Sequence, residues 1–145
     1  MSTEESNVIH FDPSAPFYFE RAFKAYHNNE IDKGIKYFER GISLARHENE
    51  AYYGRVQLAL IYQHAGQFEN SYDELERLIE ESHQLRPDLY YFQAVNCSYL
   101  KLFLEAKELL DTFIHLLDKR NIQDNPYRKE AEEMIKMIET YHTDL

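Results

Sequence analysis

A chain of 145 residues with a net charge of −10, from 26 acids and 16 bases, carries no basic stripe, which disfavours nucleic acid and anionic membrane surfaces as partners. Four glycines, four prolines and 43% apolar residues describe one compact helical domain able to bury its own core, not a disordered or β-rich chain. A single cysteine, Cys97, excludes an internal disulfide framework and suits a reducing compartment. In chain order, residues 1–13 read as a polar, mobile lead without the basic and apolar regions of a secretion signal. No apolar run reaches transmembrane length, so a cytoplasmic, soluble protein is expected. Helix one is expected at about 15–28, with Ser14 as its cap and Pro16 in its first turn. Asn28-Asn29 breaks the pattern before helix two, at about 31–47. Helix three covers about 50–65 and stops at Gly66, which can take the left-handed conformation. Helix four spans about 68–83, Pro87 starts helix five at about 87–101, and helix six fills about 103–120. Asn125-Pro126 reads as cap and first-turn proline of a last helix, about 126–142.

The links within each pair are too short for anything but antiparallel helix hairpins. A spacing of 37 and then 35 residues runs through them. Ala22, Ala59 and Ala94 are tiny, as are Gly34, Ser71 and Ala106. Ile31, Phe68 and Phe103 are large and apolar, as are Phe38, Leu75 and Leu110, and Ile42, Ile79 and Ile114 repeat one residue type. Tiny residues permit close approach of the two helices in a pair, and the large ones fill the space toward neighbouring pairs. A period of this size is the mark of stacked helical repeats, which present surfaces more often than active sites.

On these residues the chain resembles the tetratricopeptide repeat, a helix–turn–helix unit with a period of about 34. Unit two matches at Leu58, Ala59, Tyr62, Gly66, Phe68, Ser71, Leu75 and Leu78. Unit one offers Tyr18, Ala22, Asn29, Ile31, Gly34, Phe38 and Gly41, and unit three Tyr90, Ala94, Phe103, Ala106, Leu110 and Phe113. The family's late proline is missing from its usual place, Lys101 stands where unit three should have its turn glycine, and the linkers are longer than standard. The resemblance implies an all-α, right-handed α-solenoid of three antiparallel helix hairpins plus a C-terminal capping helix. Residues 14–145 form a single domain in this reading, with units at about 15–48, 49–85 and 87–120 and the cap at 126–142. Tyr127, Ala131, Met134, Ile135, Ile138 and Tyr141 give the cap one apolar stripe; the alternative is a helix that offers this stripe to a second copy.

In this family the first helices of the pairs line a concave groove. Its positions fall on Phe19, Phe23, Tyr26 and His27, then Val56, Leu60, Gln63 and His64, then Tyr91, Val95, Ser98 and Tyr99. The subclass that grips a C-terminal carboxylate uses Lys, Asn and Arg, where this chain has Phe19, Phe23, Gln57, Asp88 and Phe92, so that clamp is absent. The surface implied is aromatic and apolar, suited to a peptide or amphipathic helix of apolar or basic character. The alternative is that some of these rings are core. The acids Glu69, Asp73, Glu74, Glu76, Glu80 and Glu81 of helix four read as a solvated face, or else as steering for a basic partner.

Catalytic and metal chemistry find little footing. The chain has no Gly-rich phosphate loop, no His-Glu-x-x-His and no Gly-x-Ser-x-Gly. His27 and His64 share a repeat position but lack the carboxylate or thiolate company of a metal site. Glu80-x-x-His83 and Glu139-x-x-His142 echo di-iron elements, yet both histidines fall at helix ends. Cys97 sits mid-helix among apolar residues as an inert thiol. The reading is a non-enzymatic interaction module without cofactor; a self-associating structural protein is the alternative, with a peptide-sensing regulator behind it.

Overall fold

The computed structural model describes residues 14–82 and 86–142; the N-terminal lead and His83 lie outside them. Among the described residues seven α-helices follow one another: α1 Ala15–His27, α2 Ile31–Ser43, α3 Glu48–His64, α4 Phe68–Glu81, α5 Pro87–Tyr99, α6 Phe103–Lys119 and α7 Arg128–Tyr141. Among the described residues there is no strand, and the fold is an all-α helical repeat.

The turns carry the repeat in their backbone. After α1, Asn29 adopts φ 63°; after α3, Gly66 has φ 79°; after α5, Lys101 has φ 63°. Each left-handed residue donates three residues back, to Tyr26, Gln63 and Ser98, while the next residue donates to Ala25, Tyr62 and Cys97. This pair of bonds closes the open carbonyls of a helix end and aims the chain back along it. Lys101 therefore keeps the backbone conformation that a glycine usually supplies. Asn121, at φ 57°, ends α6 by the same device.

Several helix ends differ from expectation: α3 starts two residues early, α4 and α5 end two residues early, and α2 and α7 differ for reasons that side chains explain. α2 stops at Ser43, four residues early, because the segment behind it serves the start of α3. There the amide of Glu50 donates to His47 Nδ1 and the amide of Arg46 donates to Glu50 Oε1, a reciprocal cap. α7 begins at Arg128, not at Pro126. Asn125 does accept from the Tyr127 amide, but its own amide group donates to Asp88 Oδ1 at 2.9 Å, which ties the link to α5.

The chain forms two compact units, one up to Gly54 and one from Arg55. In the first, Ala22 and Gly34 let α1 and α2 close up: a Cβ on Gly34 would stand 3.2 Å from the Ala22 carbonyl oxygen. Phe38 is fully buried, with Phe19 stacked on it at 5.7 Å and Phe23 edge-on at 5.0 Å. The Phe19 ring fills the place where Gly41 and Gly54 lack side chains; a Cβ at either would fall within 2.7 Å of it.

The second unit is built on Ala94, Cys97, Ala106, Leu110, Phe113 and Leu117, joined by Ala131 and Ile138 of α7. Tyr127, just ahead of α7, and Met134 and Ile135 pack against the same cluster, so most of the expected apolar stripe covers the last hairpin, but Tyr141 of that stripe stands exposed. Buried amides link α3, α4 and α5. Gln63 donates to the Phe92 carbonyl and to Asn96 Oδ1, both at 3.0 Å, and Asn96 donates to Ser71 Oγ at 2.8 Å and to Gln93. Gln93 in turn donates to the Tyr72 carbonyl. Buried amides are tolerable only when satisfied in this way.

Candidate docking cleft

α1 turns Pro16, Phe19, Glu20 and Phe23 along one stripe, spaced as one side of a helix requires. The start of α3 brings His47, Asn49, Glu50 and Tyr53 opposite them, and an open cleft of about 470 Å³ lies between. The capping bonds of His47 and Glu50 fix this wall. Tyr53 is 46% exposed with its ring 5.6 Å from that of Phe19, which shows only 4% of its own surface. Phe19 is thus a core residue that contributes an edge, while Phe23 and Tyr53 supply the accessible aromatic surface. Two carboxylates sit in this apolar lining. Glu20 faces Lys24 at 3.5 Å with both side chains mostly in solvent, and Glu50 Oε2 lies 3.9 Å from His47 Nε2.

The other expected groove residues have varied surroundings. Tyr26 is half-buried and meets exposed His27 edge to face at 5.6 Å, outside the cleft lining. In the second unit Val56 is buried, Leu60 and Val95 are half-buried, and His64 is exposed. Gln63 is held in the amide network. Tyr91 stacks on Tyr127 at 4.7 Å and approaches Phe113 at 5.6 Å; burial, with Glu130 and Tyr127 nearby, pushes its phenol above the ordinary value. Tyr99 is 65% exposed but lies flat on Phe68 at 4.2 Å. Half-buried Ser98 donates to the Ala94 carbonyl. Tyr53, Glu20, His47 and Glu50 escaped the repeat alignment. For Tyr53 a signal existed, since it precedes Val56 and Leu60 on the same helical stripe.

Acids on α4 divide by role. Arg55 donates from Nε to Glu74 at 3.1 Å and from Nη1 to Glu81 at 2.6 Å, and Arg77 also donates to Glu74. Burial works against the Arg55 charge, but its bonds to Glu81 and Glu74 more than offset this. The bond from Arg55 holds the Glu81 carboxyl below its ordinary value. Glu69, Asp73, Glu76 and Glu80 are exposed. Cys97 is buried, and burial, with Glu105 and Glu76 adding, pushes its thiol up to about 12, a setting for an inert group. His142 stacks on Phe103 at 3.8 Å. Among the described residues no three His, Cys, Asp or Glu side chains group as metal ligands.

No family model matches the chain. Over 101 residues it is 28% identical to the TPR repeat-containing protein YvcD of Bacillus subtilis (strain 168). That match covers 70% of this chain and 20% of YvcD, so the chain spans about a fifth of the relative's length. Among solved structures it is similar to a kinesin light chain-type protein of Podosopora anserina with nearly identical TPR-like repeats, at a TM-score of 0.71 and 17% identity. That likeness covers 90% of this chain and 68% of the other. Left-handed turns at the repeat spacing, tiny residues at the helix contacts and these two likenesses together describe a chain of tetratricopeptide-like helical repeats.

Proposed function

We propose that this chain is a non-catalytic, cytoplasmic interaction module that docks a peptide or amphipathic helix in the cleft between α1 and the start of α3. Tetratricopeptide-like folds serve in general as protein–protein interaction modules, which supports the class. The observation that carries the site is the open apolar cleft with Phe23 and Tyr53 accessible on its walls. Aromatic side chains with a fixed backbone give large contact area at small entropic cost, as docking sites require. Among the described residues no helix is long and apolar enough to cross a membrane.

Affinity purification from native lysate tests the reading. Tyr53→Ser, at a half-exposed position, should leave helicity intact and lose partners that the parent retains. Equal recovery by both would overturn the cleft assignment. Self-association is the second reading, and it rests on Tyr141, 75% exposed, and Met137, also exposed, at the far end of α7. Sedimentation of the parent beside a Met137→Ser, Tyr141→Ser variant decides it: a dimer lost in the variant supports self-association, and a monomeric parent rejects it.

A further inference from the structure

We propose that the cleft of the first unit selects a cationic side chain, an arginine or lysine flanked by apolar residues on a partner peptide. Its aliphatic stem would lie against Phe23 and Tyr53, and its charge at the carboxylates of Glu20 and Glu50. This rests on the docking reading above and adds the chemistry of the occupant.

Charge in an apolar setting decides the occupant. Among the described residues the lining has two carboxylates and no lysine or arginine, so an acidic peptide would meet like charge. A wholly apolar occupant would strip water from Glu20 and Glu50 without replacing it, which is costly for ionised groups. The groups already beside them do not remove that need. Lys24 reaches Glu20 at 3.5 Å from a side chain 72% exposed, a geometry of weak, easily exchanged pairs. Glu50 accepts one backbone bond from Arg46, and its other oxygen is 3.9 Å from His47. Long cationic side chains match such a place, since their stems cover apolar surface while their heads stay at the polar rim. Arginine also lies well over aromatic faces, and α1 shows the contact itself, Arg21 over Phe17 at 4.7 Å.

A random peptide library displayed on phage and selected against the full chain asks the question directly, with Tyr53→Ser selected in parallel. Enriched peptides should share an arginine or lysine beside an apolar residue, and Tyr53→Ser should lose them. The best peptide is then synthesised with its cation as arginine and as citrulline, which keeps the shape without the charge. Fluorescence anisotropy should give about tenfold weaker binding for citrulline. Glu20→Gln should weaken the arginine form about threefold or more and leave the citrulline form unchanged.

Equal binding of the two forms, or enrichment of acidic peptides, would overturn the cationic selection while the docking cleft stands. Enrichment indifferent to Tyr53→Ser, or none at all, would overturn both. A concentration-dependent dimer abolished by Tyr53→Ser would give the cleft to a second copy. Binding that emerges only when Val8, Ile9 and Phe11 are changed to Ser would give it to the chain's own N-terminal segment. Either result overturns the proposal.

Discussion

The two compact units use the same repeat positions for opposite ends. In the first, the position shared by Phe19, Val56 and Tyr91 holds a ring that slots into the space left by two glycines, and the surface beside it stays open as a cleft. In the second, Tyr91 is covered by Tyr127 ahead of α7, and Gln63 is bound to Asn96 and the Phe92 carbonyl. Equivalent positions therefore share a backbone, not a task. Whether one is free for a partner depends on whether a neighbouring segment already occupies it.

The largest effect should come from the filled unit. Phe113 is fully buried at the centre of its cluster, so Phe113→Ala should cost about 3–5 kcal/mol in urea unfolding. A loss under about 1 kcal/mol would mean that this cluster does not hold the unit together. Next in size is the amide network. Asn96→Leu leaves the Gln63 amide and Ser71 without their buried partner, at a cost of about 1–3 kcal/mol. A neutral outcome would show that water replaces the lost bonds, and the contrast between a satisfied unit and an open one would weaken.

The smallest effect is electrostatic. Glu81 has its folded value lowered by Arg55, so its contribution is present above the unfolded carboxylate value and fades as pH falls through the lower, folded one. Stability measured from about pH 5 downward should therefore decline more gently in Glu81→Gln than in the parent. Parallel profiles would place the linkage elsewhere on α4.

Much of the fold was legible because a few positions are sterically strict. Ala22, Ala59, Ala94, Ser71 and Ala106 admit no extra atoms and are all fully buried, and Gly34 is buried with them. The turn at Lys101 was the hardest to read, because the residue departs from glycine while the backbone keeps φ 63°. Helix ends were misplaced where a side chain competes for the chain: His47 and Glu50 cap the start of α3 locally, and Asn125 reaches the distant Asp88. The cleft was half legible. Phe19 and Phe23 follow from repeat position, but Tyr53 and the carboxylate rim belong to the start of α3, whose register depends on that cap. Tyr91 shows the converse, since its partner Tyr127 stands outside the three hairpins.

Hydrogen exchange of the full chain, with and without the best library-selected peptide, locates the docking surface on one unit or the other. Bound peptide should slow exchange in residues 16–27 and 46–54 and leave residues 87–99 and 127–141 unchanged. Protection confined to the second pair of segments would show that Tyr91 and its surroundings are the docking surface, and that the cleft of the first unit is not.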